Sequence, residues 1–268
     1  MTSELEPRKE ERFLVHYRLS FKQVCLVTVS FPFLALIICF ISAYIFQYDD
    51  IHETHCRVFN IVPSISAITG ISPQRYIWRI SIAFHVGPRL IISAVYRAYH
   101  LTLINPLAQN EVQLKAQFWL NTAFWTNVIE TGALCGVTYI SNRENYAIHE
   151  KFFIIFMVSS LVHMLACIKG IKAVGVTRNK TDDDLIKCLQ LKQNLFNISL
   201  LMTVGLIGFF LEHRLLCHRM AFSMFALCEY IIAFANMAFH VTIIMDFPTE
   251  HFMVATKLNN QQEDAKSL

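Results

Sequence analysis

The stretch VCLVTVSFPFLALIICFISAYIF, residues 24–46, decides the fold. None of its 23 residues is charged. At ~1.5 Å of rise per residue, a helix of that length crosses a ~30 Å hydrocarbon layer. A cleaved secretory leader is the competing reading, since Arg8, Lys9, Arg12, Arg18 and Lys22 precede the run. The apolar core of such a leader is only ~7–15 residues long, so this segment is expected to be retained. Pro32 within it kinks a membrane helix without ending it.

Outward from this helix the chain stays apolar. Of its 268 residues 54% are hydrophobic, and the mean hydropathy is +0.42, more than a water-soluble core of this size requires. Further spans are expected at 77–103, 118–140, 150–170, 193–212 and 220–245. The expected fold class is therefore all-α: a polytopic membrane protein with a bundle of about six transmembrane helices. It forms a single membrane domain over 1–268, with cytoplasmic tails at 1–20 and 250–268. The span 77–103 is the least apolar, because Arg79, Arg89 and Arg97 each cost ~2.5–3.5 kcal/mol at a helix centre. Arg79 and Arg97 lie near its ends and can snorkel, which leaves only Arg89 deep; an amphipathic helix lying on the surface is the alternative. A net charge of +3, with basic residues in short flanking segments, gives no reason to expect a nucleic-acid partner.

With six spans the connections alternate sides, so their basic residues can be compared. One side holds five in the amino-terminal segment, six between Lys169 and Lys192, Lys115, and Lys257 and Lys266 in the tail, fourteen in all. The other side holds six: Arg57, Arg75, Arg143, Lys151, Arg214 and Arg219. This bias places both termini in the cytoplasm. The opposite side is then oxidising, and of eight cysteines only Cys56 and Cys217 fall in its loops. One disulfide between them is expected, two unpaired thiols being the alternative. Cys25, Cys39, Cys135, Cys167 and Cys228 lie in or beside spans and are expected to pack as small hydrophobes. The sequon at 179–181 falls in a cytoplasmic connection and is expected to be unmodified. The polar tail from Lys257 is expected to be disordered.

Ionisable groups at membrane depth are costly and turn toward a bundle interior. His85 and Arg89 are four residues apart, Asn127 and Glu130 three apart, and Glu229, Asn236 and His240 share one helical stripe. Arg89, Glu130 and His163 fall near the midplane, where an Arg89–Glu130 pair would remove the largest desolvation cost. The set either lines a substrate site or only holds helices together. His52, His55, His149, Glu150, His213 and His218 cluster at the lumenal rim, where they would meet a phosphorylated head group or, less readily, a metal. No metal or bound cofactor is expected. Known catalytic signatures are missing: Asp246 follows His240 one position too late for the His-x4-Asp acyltransferase pattern, and no His-Glu-x-x-His or nucleophile elbow occurs. A channel or transporter would be expected to show inverted repeats, and none is visible.

Several words in order now make a resemblance specific: Thr54-His55-Cys56, NIVPSIS at 60–66, PQRYIWR at 73–79, His85 with Pro88-Arg89, and NVIE at 127–130. TYIS at 138–141, Ile148-His149-Glu150, SSLVHM at 159–164, Glu229-Tyr230 and NMAFH at 236–240 follow. Over roughly residues 15–250 the chain resembles the post-GPI-attachment-to-proteins factor 2 family; residues 1–13 and the connection around 182–184 fall outside the likeness. The resemblance implies a Golgi and endoplasmic reticulum membrane protein needed for lipid remodelling of glycosylphosphatidylinositol (GPI) anchors. The step implied returns a fatty acid to the lyso form in the lumenal leaflet. The implied partners are lyso-GPI lipid, acyl chains, GPI-anchored proteins and membrane lipid; the acyl donor stays open.

On that basis His55, Arg75, Arg79, His149, Glu150, His213, Glu229, Asn236 and His240 are expected to bind substrate, with Arg75 and Arg79 on phosphate. His85, Arg89, Glu130 and His163 are the catalytic candidates, His85 or His163 as general base and Arg89 at the oxyanion. The alternative is a lipid-presenting or scaffolding subunit without catalysis of its own.

Overall fold

The computed structural model describes residues 13–54, 56–104, 110–178, 183–247 and 250–257. In chain order it runs β1 (Phe13–Ser20), α1 (Phe21–Phe46), α2 (Tyr48–His52), α3 (Ile65–Thr69), α4 (Gln74–Thr102) and α5 (Asn110–Tyr139). Then come α6 (Tyr146–Arg178), α7 (Asp183–Leu216), α8 (Ala221–Val241), α9 (Ile243–Asp246) and β2 (His251–Lys257). Six of these helices are long and alternate in direction. The start of α4 meets the end of α5 through Arg79 and Tyr139, while the start of α7 meets the end of α8 through Lys192 and Thr242.

Four helices are long and apolar enough to cross a membrane: α1, α6, and the bodies Leu185–Leu216 and Ala221–Asp246. Helices α4 and α5 carry Arg79, Arg89, Arg97 and Glu130; each turns one face inward while Ile80, Phe84, Phe118 and Trp125 stay exposed. They meet through Arg79 and Tyr139 at one end and through Arg97 Nε and Asn121 Oδ1 (2.6 Å) at the other. The main core joins α1, α4, α5, α6 and α8 through Cys25, Tyr96, Ala123, Met164 and Phe239. Helices α5 and α6 approach so closely that a Cβ on Gly136 would overlap the Phe152 ring, and one on Gly170 would lie 3.1 Å from Leu120. Small residues permit such contact where no hydrophobic force between helices operates.

One end of the bundle is closed by Cys56–Cys217, with Cα atoms 5.5 Å apart, as the cysteine distribution predicts. The other is closed by an antiparallel pair of strands, with Phe13 opposite Lys257, Ser20 opposite His251 and a bulge between Val15 and Tyr17. These two ends are called here the disulfide end and the ribbon end. Pairing of β1 with β2 brings residues 13–20 and 251–257 together.

Within the segments read as tails, residues 13–20 and 251–257 pair as strands. Two expectations about the connection after the fourth span are corrected. Residues 169–178 and 183–192 are helical, because α6 runs to Arg178 and α7 begins at Asp183. Lys192, counted among the cytoplasmic charges, is instead buried and paired with Asp246 at 2.9 Å, which leaves thirteen against six. The sequon at 179–181 and the tail beyond Lys257 lie outside the described residues.

Candidate functional site

Arg89 organises the centre of the bundle. Its Nε and Nη2 both donate to Asn127 Oδ1 (3.1 and 3.0 Å), Nη2 also donates to His240 Nε2 (2.7 Å), and the same Nη2 forms an ion pair with Glu130 Oε1 at 2.7 Å. Glu130 Oε1 accepts a further bond from Asn236 Nδ2 (2.7 Å), which also donates to Ser160 Oγ (2.7 Å). Helical spacing makes this possible: three residues separate Asn127 from Glu130 and four separate Asn236 from His240, so each pair shares a face. Arg89 is 5% exposed and Glu130 not at all, so each charge compensates the other where water cannot. Glu130 Oε2 has no hydrogen-bond partner among the described residues.

The histidines are oriented by backbone carbonyls. Pro32 has no N–H, so the carbonyl of Thr28 one turn earlier lacks its helical donor. His85 Nδ1 supplies that donor at 2.7 Å. A carbonyl only accepts, so the His85 proton sits on Nδ1 and the lone pair on Nε2. By the same reasoning His163 donates from Nδ1 to Ala123 O (2.8 Å), and His149 from Nδ1 to Ile140 O (2.8 Å). Because His240 Nε2 accepts from Arg89, its proton lies on Nδ1; its ring stacks on His163 with centroids 5.3 Å apart.

A cavity of about 120 Å³ runs from the depth of Arg89 and His240 to Ser66, Thr69 and His149 at the disulfide end. His85, Arg89, His149, Glu229, Asn236 and His240 all line it, among Pro32, Trp78, Phe153 and Met237. Six of the sequence-derived site residues are thus brought to one enclosure, with Glu130 directly behind Arg89 and His163 against His240. Glu229 Oε2 accepts the Ile65 N–H (2.8 Å) at the start of α3, and Ser64 caps the same helix.

Other candidates sit elsewhere. Arg79 donates to the Thr138 and Tyr139 carbonyls (3.2 and 2.9 Å), two of the unpaired acceptors that end α5, and to Glu144 Oε2 (2.7 Å). Arg75 meets Glu144 Oε1 at 3.2 Å. The fork that a phosphate would take is therefore engaged with the α5–α6 turn. Glu144 also accepts from the Ser141 N–H (2.9 Å). That bond and the Arg79 guanidinium hold its carboxyl down at about 2, below its ordinary 4.5. His213 is buried beside Phe222 near the disulfide, and Glu150 is half-buried in the first turns of α6. His55 lies outside the described residues.

The rim histidines do not converge: His52 contacts the Tyr48 and Ile61 carbonyls, and His218 contacts Glu212. Among the described residues the one group spaced to hold a metal is Glu130, His163 and His240. There the Arg89 Nη2 stands 2.7 Å from both Glu130 Oε1 and His240 Nε2, so a guanidinium already holds the cation's place.

Sequence reasoning missed a second buried group, in which Lys192 Nζ donates to Thr242 Oγ1 (2.7 Å), Asp246 Oδ2 (2.9 Å) and Cys188 Sγ (3.2 Å). It removes Asp246 from any partnership with His240. The available signal was a lysine flanked by Leu189, Leu191 and Leu195, four residues after a cysteine.

The family described as Frag1/DRAM/Sfk1/Cwh43P N-terminal domain matches residues 20–250. "Post-GPI attachment to proteins factor 2-like" of Drosophila melanogaster is 49% identical over 249 residues, 93% of this chain and 76% of the relative. "Acyltransferase PGAP2" of Xenopus tropicalis is 31% identical over 90% of this chain and 92% of its own length. "Post-GPI attachment to proteins factor 2" of Caenorhabditis elegans is 29% identical over 88% and 89%. No solved structure matches. A match across residues 20–250, together with these relatives, establishes that the chain belongs to the Frag1/DRAM/Sfk1/Cwh43P family and, within it, to the post-GPI attachment to proteins factor 2 group.

Proposed function

We propose that this protein remodels the lipid of GPI anchors, returning a fatty acid to the lyso form. Six helices cross the membrane, the ribbon end faces the cytoplasm, and the disulfide end faces the lumen of the Golgi and endoplasmic reticulum. The printed names of its relatives support the substrate class. The observation that carries the chemistry is the cavity where His85, Arg89, His149, Glu229, Asn236 and His240 meet at membrane depth. A mostly apolar cavity with a few convergent polar groups, reached from the lumenal leaflet, suits a lyso-lipid, whose hydroxyl is polar and whose remaining chain is not.

His85 is the general base, because Thr28 fixes its proton on Nδ1 and leaves Nε2 free to accept one. The lyso-lipid oxygen attacks the carbonyl carbon of a donor ester or thioester while its proton passes to Nε2. The bond from that carbon to the donor's leaving group then breaks, and the proton passes from Nε2 to the leaving group. Arg89 Nη1, without a hydrogen bond among the described residues, is placed to stabilise the oxyanion. His149 and Glu229 hold the head group at the lumenal end, and Arg75 and Arg79 shape the adjoining turn.

One observation favours a second reading: Arg89 and Glu130 are so fully engaged with each other and with Asn127, His240 and Asn236 that the network alone would serve a lipid-presenting subunit. Cells lacking the protein, complemented with wild type or with His85→Ala at matched levels, separate the two when the anchor lipids are measured by mass spectrometry. Accumulated lyso form with the variant supports catalysis; full restoration removes His85 from the mechanism and leaves the presenting role.

A further inference from the structure

A groove of about 700 Å³ lies between α1, α7 and α8 on the outside of the bundle. Its walls are Leu26, Phe33, Leu195, Phe234 and their neighbours. The two polar side chains in it are satisfied inward: Ser30 Oγ donates to Val27 O (2.7 Å), and Thr242 Oγ1 donates to Phe239 O (2.6 Å). The groove runs from Leu191 and Met245 near the ribbon end to Phe33 and Phe234, and along it Val29 and Met237 also line the cavity. Enclosure and groove thus share a neck, one helical turn from His240 on α8 and four residues before Phe33 on α1.

The chemistry of the walls selects the occupant. Helix-to-helix interfaces in lipid use small residues for close approach. Here bulky Leu, Ile, Phe and Met side chains make most of the wall and leave room for a flexible chain, with Ser30, Ala238 and Thr242 as the small exceptions. From Met237 to Met245 the helical rise is ~12 Å, long enough to hold the distal part of a long saturated chain.

We infer that this groove binds the distal part of the acyl chain being transferred, the carbonyl end lying in the cavity beside His85, the chain passing the Val29–Met237 neck and the methyl end pointing toward Leu191 and Met245. The inference rests on the lipid-remodelling reading of the cavity and adds where the chain lies and which way it points. Chain length is then gauged at the ribbon end, and chains too short to pass the neck lose the groove's contacts.

Photocrosslinking of the purified protein in lipid bilayers tests it without requiring turnover. Two long-chain phospholipid probes are used, one with a diazirine at the chain terminus and one with it beside the carbonyl. The terminal probe is expected to label the peptides holding Leu191 and Met245, and the proximal probe those holding Val29 and Met237. Ala238→Trp, which fills the groove from a lipid-facing position, is expected to cut both yields about tenfold, whereas Leu201→Trp, 65% exposed at position 201 on α7, leaves them unchanged. Labelling spread evenly over all outer helix faces, a reversed order of the two probes, or a stable dimer that excludes both probes would each overturn the inference. Restored anchor lipids in complemented cells alongside any of these results would show that the groove assignment failed while the function stood.

Discussion

The backbone gap left by Pro32 shows how one residue sets the chemistry of another helix. Restoring an N–H with Pro32→Ala gives the Thr28 carbonyl back to α1, and His85 then loses the acceptor that fixes its proton. The expected outcome is an intact fold with anchor-lipid turnover reduced about tenfold or more, the usual range for a displaced general base. Unchanged turnover would show that the contact is incidental. Glu130→Ala leaves Arg89 buried without its counter-charge, and losing one partner of such a pair costs about 3–5 kcal/mol. A markedly lower thermal midpoint in detergent is therefore expected, and Glu130→Ala melting with the wild type would argue against a tight pair.

Glu144 gives a pH test away from the membrane. Its carboxyl titrates at about 2 when folded, below the ordinary 4.5, so its stabilisation is complete above 4.5 and is lost as pH falls toward 2. The difference in melting between wild type and Glu144→Gln should shrink across that window and stay constant above it.

Among elements, the α5–α6 pair depends most on a single position. Gly136→Val drives a branched side chain into the Phe152 ring, an overpacking that costs about 1–3 kcal/mol. Its sign would show as a lower melting temperature and weaker crosslinking between the two helices, whereas neutral behaviour would mean that α5 and α6 stand further apart. Helix α1 was legible in the sequence because 23 uncharged residues admit few alternatives. Helix α4 was legible only in part, since the cost of Arg89 cannot be judged until Glu130 and Asn127 are seen to meet it. The strand pair was not read at all: only the second half of FLVHYRLS alternates, and HFMVATK does not. Runs that short, carrying His16, Arg18 and His251, look like solvated flanks until the far end of the chain supplies the partner.

Across the whole molecule, the sequence disclosed which residues would avoid lipid better than what each would do once inside. Spacing put His85, Arg89, Asn236 and His240 on inward faces, and the cavity contains them all. Counting cysteines by compartment foretold the Cys56–Cys217 bond. Arg75 and Arg79, read as phosphate contacts, also meet the Glu144 carboxylate, and Arg79 the carbonyls that end α5, partners that become neighbours only after folding. Lys192 was misplaced for the same reason, its partner Asp246 being 54 residues away.

The most direct measurement of the central claim uses purified protein in liposomes supplied with lyso-GPI and, in turn, a phospholipid or a thioester acyl donor, with the diacyl product detected by mass spectrometry. Product should form with wild type, and should vanish with His85→Ala while that variant melts as the wild type does. No product with any donor, or undiminished product from His85→Ala, would contradict the account.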